Sequence, residues 1–379
     1  MSSGIQLTLL MGPVIAIPAP RLVIDALESV EVTTAAGSTS GFQMSFTFNS
    51  KSELNTIFLL AAGQNTSLGT PPLRVMLIVT INGTPNVLFD GVMTNVDVQA
   101  GSGKSPGQVS VTGEDITKVM DLFDFSGLPY PAMPIEARVA LICAKYAMFG
   151  VIPMVIPVLF PEVPIPVDYI PAHKGTDLQY LQQLAEDVGY VFYVEPGPVP
   201  GTNIAYFGPE IKVGVPQPAL NIDMDAHTNV EGLRFNFDAT KGVLPVVYIQ
   251  NPLTRAPIPI PIPDLNPLQP PLGLLPTPIA NLKVLKNTAK LSPLKAIGRG
   301  LAEAARSQDA VSARGSLDVQ RYGRLLKARQ LVGVRGAGLA YDGLYYVRSV
   351  TSKLKRGEFK QEFNLTCNGL VSITPRVPA

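Results

Sequence analysis

Two histidines, His173 and His227, are all the imidazole this chain has to offer as base or metal ligand. Neither has a second histidine or a cysteine at metal-ligand spacing, which argues against a zinc site. A Ser/His/Asp triad would draw on the same two residues, but no nucleophile elbow accompanies them. Carboxylates stand close in sequence at Asp223/Asp225 and Glu186/Asp187. Such pairs serve glycoside hydrolysis, yet acids at helix ends and strand edges are more often solvated, and the chain has no Trp to offer a sugar. Gly101-Ser102-Gly103-Lys104-Ser105 imitates a phosphate loop. The full motif needs a glycine separated from Gly103-Lys104 by four residues, where Val98 stands, and it must open a helix. Gly336-Ala337-Gly338 precedes a strand where a dinucleotide fingerprint needs a helix. These residues point to no enzyme, no cofactor and no metal.

The elements that would position such residues are mainly strands. The chain has 379 residues, enough for two or three domains each able to bury a core. Its net charge is +1, but from Leu282 onward 18 Lys+Arg face 6 Asp+Glu, leaving 12 and 23 for the rest. Such asymmetry marks charged partners, a charged channel wall, or a solvated face with complementary domain packing. Hydrophobic residues make up 46% and charged ones 16%, which suits surface hidden in an obligate oligomer. Cys143 and Cys367 lie far apart and read as buried thiols. Met1 to Pro20 lacks a basic start and is broken by Pro13, Pro18 and Pro20, so no signal peptide is expected. The apolar run Phe149 to Pro166 carries five prolines and Glu162, which excludes a membrane helix. A protein made in the cytoplasm, without membrane insertion, is the expectation. The basic third lacks an aromatic-interleaved patch or a reading helix, so no specific nucleic acid is expected.

Three regions follow. Residues 1–124 are β-rich: Phe42, Met44, Phe46 and Phe48 alternate with polar residues, and Asn82-Gly83 marks a hairpin between Leu73–Ile81 and Val87–Val98. Ser52 looks like the cap of a short apolar helix ending near Gly63. Residues 125–222 read as α+β, with one helix from Pro134 through Phe149 and a second capped by Thr176 and stopped by Gly189. Residues 223–379 are again β-rich, with strands at Val230–Phe237 and Val243–Gln250, an Ala-rich helix from Ala296 to about Ala313, and closing strands around Leu331–Arg335, Leu344–Val350 and Phe359–Cys367. A proline-rich segment, 251–295, interrupts this region with eleven prolines. It predicts extended chain without a core of its own. It is either a surface insertion or an arm that wraps a neighbouring subunit with Ile258, Ile260 and Ile262.

The stretch Lys174-Gly175-Thr176-Asp177-Leu178-Gln179-Tyr180-Leu181, followed by Leu184 to Val194, resembles the middle of phage late-control D proteins. Gly338, Tyr341 to Val347, a hairpin at Gly357 and Phe359 to Leu370 resemble the end of the same family, the baseplate hubs of contractile tails, whose module also occurs in type VI secretion spike proteins. The resemblance by motif covers about the last two thirds of the chain.

The resemblance implies two similar antiparallel β tube or barrel domains plus an α+β middle domain, assembling as a trimeric ring with pseudo-sixfold symmetry. It implies a structural hub that adapts a sixfold tail tube to a threefold spike and moves with them on sheath contraction. The partners would be two further copies, a tail tube protein, other baseplate components and a spike. Because the chain ends at Ala379 directly after the hub module, that spike is expected to be a separate protein. This ending and the proline-rich segment suit a stand-alone hub of a phage tail or of a phage-tail-like injection particle. Lys353, Lys355 and Arg356, on a basic hairpin, would face the channel or an acidic neighbour. The readings of another class are a tail-associated cell-wall hydrolase and a carbohydrate-binding tail module.

Overall fold

The structure, a computed structural model, describes residues 4–48, 72–99, 106–158, 161, 163–167, 169–250, 254, 256–262, 269–286 and 293–373. The expected Ser52 helix and the Gly101–Ser105 loop lie outside the described residues.

The N-terminal strands are β1 (Gln6–Gly12), β2 (Ile17–Pro18), β3 (Leu27–Ala35), β4 (Gly41–Phe48), β5 (Arg74–Ile81), β6 (Thr84–Gln99) and β7 (Gly107–Asp115). The period-two pattern of β4 does what it predicts: Phe42, Met44, Phe46 and Phe48 are buried while Gln43 faces out. Between β5 and β6, Asn82 and Gly83 both have positive φ, 51° and 80°. Such a turn matches the twist of the strands it joins, and only small or polar residues accept it cheaply.

The middle of the chain packs helices on a small sheet of β8 (Val151–Val155), β9 (Val191–Pro196) and β10 (Asn203–Gly208), ordered β8-β10-β9. The helix expected to reach Phe149 ends at Ala144, and Gly150 at φ 73° turns the chain into β8. The helix Asp177–Val188 forms as its caps predict. Thr176 and Gln179 make a reciprocal capping box, and Gly189 closes the end in the left-handed region. Tyr180, Leu181, Leu184, Ala185 and Val188 form its buried face.

The remaining strands are β11 (Gln217–Asn221), β12 (Val230–Phe237), β13 (Val243–Gln250), β14 (Pro257–Pro261), β15 (Gly273–Pro276), β16 (Asn281–Val284), β17 (Val311–Asp318), β18 (Leu331–Arg335), β19 (Gly343–Lys355), β20 (Glu358–Cys367) and β21 (Gly369–Ser372). Two differences from the sequence reading stand out. The Ala-rich helix spans Pro293–Ser307, and Val311–Asp318 is a strand. Its Val311, Ala313 and Leu317 alternate inward, and small Ala and Gly suit the crowding there: a Cβ on Gly315 would stand 2.8 Å from the Phe363 ring. The proline-rich segment shares a small core with its neighbours, to which it contributes Ile262. β13 lies between β14 and β16, and Val247, Ile249, Ile262 and Ala296 cluster beneath the helix Pro293–Ser307.

Among the described residues thirteen strands make one sheet, whose main path runs β12-β17-β20-β19-β3-β4-β7-β6-β5-β1-β2, with β18 and β11 branching from β19. Its two halves repeat one another. The first pairs its strands in the order β1-β5-β6-β7-β4-β3 and the second in the order β11-β18-β19-β20-β17-β12. Each strand has its counterpart at the same place in chain order. Two β-bulges coincide as well: Met93/Asn95 in β6 matches Val347/Ser349 in β19, and Leu27/Ser29 in β3 matches Val230/Gly232 in β12. A bulge fixes register, so matching bulges align the halves residue by residue. Two joints differ: β1 runs antiparallel to β5 whereas β11 runs parallel to β18, and the β5–β6 bulge at Leu77/Ile78 has no counterpart between β18 and β19. One apolar core underlies both halves and a second fills the middle of the chain.

Candidate assembly interface

The halves meet where β3 pairs antiparallel with the far end of β19, from Ala35 opposite Ser349 to Ser29 opposite Lys355. On the core side Val30 and Val32 lie opposite Leu354 and Ser352, all buried. On the other side Thr33 and Thr351 hydrogen-bond at 3.1 Å, and Glu31 lies opposite Lys353. That outer face is polar across both halves. Gln43, Ser45, Ser110, Thr112 and Asn95 continue it in one direction, and Glu362, Asn364, Ser312 and Arg314 in the other.

The hairpin residues chosen from sequence sit at this joint. Lys353 Nζ lies 2.6 Å from Glu362 Oε1, Arg356 Nη2 donates to the Asp25 carbonyl at 2.7 Å, and Lys355 is exposed. Two of the three are therefore engaged within the chain. The isoleucines divide along the insertion. Ile262 is buried against Val247 and the close approach of Gly300, where a Cβ would meet Ile262 Cγ1 at 2.7 Å. Ile260 is half-buried and Ile258 is 45% exposed. Ile262 thus spends its apolar surface inside its own chain, which removes it from any arm on a neighbour. Ile258 stays free for one.

Sequence reasoning passed over a second feature of the same face. Arg234 on β12 lies directly opposite Arg314 on β17, both exposed, and among the described residues no acidic side chain pairs with either. Like charges directly opposite on antiparallel strands are unfavourable. The alternation Leu233-Arg234-Phe235-Asn236-Phe237 at the start of the third region carried that signal, because a lone cation between large apolar residues marks an edge.

Solved structures share the fold. The tail protein from Neisseria meningitidis MC58 superposes with a TM-score of 0.59 at 14% identity, over 97% of this chain and 98% of its own. The prophage MuSo2 43 kDa tail protein from Shewanella oneidensis gives 0.59 at 13%, over 95% and 97%. An E. coli component of the type VI secretion system gives 0.51 at 10%, over 93% and 75%. The chain has the fold of these tail and secretion-system proteins. No protein-family model matches the sequence, and no curated protein does. Among the described residues no helix is long and apolar enough to cross a membrane.

In the middle of the chain the titratable residues contact one another. Asp177, fully buried, accepts from Lys145 Nζ at 2.9 Å through both oxygens and from Tyr146 Oη at 2.7 Å. His173 Nε2 lies 3.4 Å from Asp177 Oδ1, and its Nδ1 is 2.9 Å from Tyr130 Oη. The group staples the helix Ile135–Ala144 to the start of the helix Asp177–Val188. His227 sits on an exposed single turn, and among the described residues no three His, Cys, Asp or Glu side chains converge on a metal position. Burial pushes the Cys143 thiol up to about 12 and the Cys367 thiol to about 11, so both are inert at neutral pH.

Burial lowers the pKa of His173, with Asp177 opposing the shift. A histidine neutral in the folded chain takes up a proton on unfolding once pH falls below about 6.5. The folded state should therefore lose stability as pH drops through that value. His173→Gln should flatten the curve of urea midpoint against pH between 6.5 and 5. An unchanged slope would show that the imidazole is not the group responsible.

Proposed function

We propose that the chain is a structural baseplate hub of a contractile tail or injection machine. Three copies form a ring in which six similar sheet halves meet a sixfold tail tube on one side and a threefold spike on the other. The two halves act as β tube domains and the middle as an α+β domain, with boundaries near residues 124 and 222. The hub moves outward with tube and spike when the sheath contracts, and it is carried in an assembled particle alongside other baseplate components.

The observation that carries this reading is the internal repeat. One chain that presents the same six-strand unit twice can satisfy sixfold and threefold neighbours together, with only three copies. The polar outer face suits the wall of a wet conduit. The likeness in fold to tail proteins supports the setting.

Sedimentation of the purified chain, alone and with the tail tube protein, tests it directly. Trimers that appear in electron micrographs as rings with a pseudo-sixfold outline are expected. A chain that remains monomeric with the tube protein present, or that clears peptidoglycan in a zymogram, would overturn the hub reading.

A further inference from the structure

Among the described residues the chain makes one strand joint with itself and leaves both sides of an equivalent joint open. Inside the molecule the edge strand β3 pairs with the overhang of β19 beyond its bulge. By the alignment of the two halves, the counterpart of β3 is β12, and the counterpart of the β19 overhang is Asn95–Gln99 at the end of β6. β12 pairs with β17 on one side only. β6 pairs with β5 only as far as Val92, and beyond Met93 its sole strand partner is β7. Among the described residues neither outer edge has a strand beside it. Open edges of this kind are templates for another strand.

Resting on the ring reading above, we infer that β12 of one copy pairs antiparallel with the end of β6 of the next copy, in the register of the internal joint. Ser352 opposite Val32 becomes Val98 opposite Phe235, and Val350 opposite Thr34 becomes Val96 opposite Phe237. Thr351 opposite Thr33 becomes Asp97 opposite Asn236, and Lys353 opposite Glu31 becomes Gln99 opposite Arg234.

The side chains fit that register. Val96, Val98 and Phe235 are only half-buried and Phe237 is 37% exposed, so four apolar groups on the core side would complete one another's cover. On the polar side Asp97 falls two residues from Arg234 across the joint, within reach of a diagonal pair. It brings a carboxylate to the row where Arg234 and Arg314 face each other. A shift of one residue would turn Val96 and Val98 onto the polar face, so the register is specified and not merely allowed. The joint is head-to-tail, and such a contact closes a ring when the rotation between copies permits.

Paired cysteines read this register in the full-length chain. Directly opposite residues in an antiparallel pair have Cα atoms about 4.5–5.5 Å apart, inside the range a disulfide spans. Asp97→Cys combined with Asn236→Cys should give covalent oligomers on mild oxidation, seen on a non-reducing gel and lost with reductant. Each single variant should give none, since Cys143 and Cys367 are buried. Asn95→Cys with Arg234→Cys, four residues out of register and about 13 Å apart, should also give none. Circular dichroism and thermal melting confirm that each variant is folded. Rings in micrographs with no matched cross-link, or equal cross-linking by the offset pair, would overturn this joint and leave the hub reading standing. Monomers throughout, by sedimentation, would overturn both.

Discussion

Arg74→Ala is expected to remove about 3–5 kcal/mol of folding stability, as breaking a buried ion pair generally does. The guanidinium holds Asp90 in a fork, Nε to Oδ1 at 2.7 Å and Nη2 to Oδ2 at 2.6 Å. It reaches further, donating to the carbonyls of Phe149 at 2.9 Å, Gly201 at 3.2 Å and Val14 at 3.1 Å. Asn203 completes the knot, giving its amide to Asp90 and to the Phe149 carbonyl. Strands β5 and β6 are thereby fastened to the turn before β8 and the turn before β10. Removing the arginine leaves a buried carboxylate with a single amide donor, takes this donor from the Val14 and Gly201 carbonyls, and leaves the Phe149 carbonyl to Asn203 alone. Arg74→Lys keeps the charge but loses the fork, so it should recover only part of the loss. Replacing both partners, Arg74→Met with Asp90→Leu, should cost much less than Arg74→Ala alone, because no charge is then stranded. Urea unfolding of the three variants measures this. A loss under about 1 kcal/mol for Arg74→Ala would mean that water fills the site, as it does at surface pairs.

A similar loss is expected from Asp309→Ala, about 3–5 kcal/mol. Lys212 Nζ sits 2.7 and 2.8 Å from the two carboxylate oxygens of Asp309 and is 1% exposed. Thr366 Oγ1 donates to the same carboxylate at 3.2 Å, and Lys241 Nζ donates to the Asp309 backbone carbonyl at 2.7 Å. Asp309 stands just before β17, and Lys212 lies in the connection from β10 to β11. The pair therefore fastens the chain where it passes from the middle into the second half of the large sheet. Asp309→Asn, which keeps the shape and a hydrogen bond, should lose less than Asp309→Ala. Lys212→Met placed on Asp309→Ala should restore part of the loss by withdrawing the stranded ammonium. Hydrogen exchange over residues 209–216 should rise in Asp309→Ala before global unfolding. Unchanged exchange there would place the role of the pair elsewhere.

Much of this fold is written in local pattern. The β4 alternation, the Asn82-Gly83 turn and the Thr176 and Gly189 caps act over a few residues, and the structure follows them. β17 was hidden because Ala310-Val311-Ser312-Ala313 continues the Ala-rich composition of the helix before it, and its identity as a strand comes from β12 and β20 on either side. The core that the proline-rich segment shares with its neighbours was hidden for a related reason. Proline removes donors, but β13 supplies them, and Ile262 finds Val247 and Ala296 only after the helix folds back. The repeat was expected only from the family resemblance, which implied two similar β domains. Its counterparts share little sequence: Glu31 matches Arg234, and Val32 matches Phe235. What they share is pairing order and bulge position, which no single strand reveals. The candidate interface was read as a basic hairpin, whose Lys353 and Arg356 prove to be engaged within the chain, and as an isoleucine-bearing arm, whose Ile262 is buried.

The facing arginines also decide what the open edge refuses. If two copies met β12 to β12 about a twofold axis with Arg234 opposite Arg234, two Arg234–Arg314 rows would come side by side. Each like-charge cross-strand contact opposes pairing by roughly 0.2–1 kcal/mol. Edge charges of this kind are how sheets avoid fruitless self-association. The basic row would thus act as a chaperone built into the strand, keeping a waiting copy from a dead-end dimer until an acidic edge arrives.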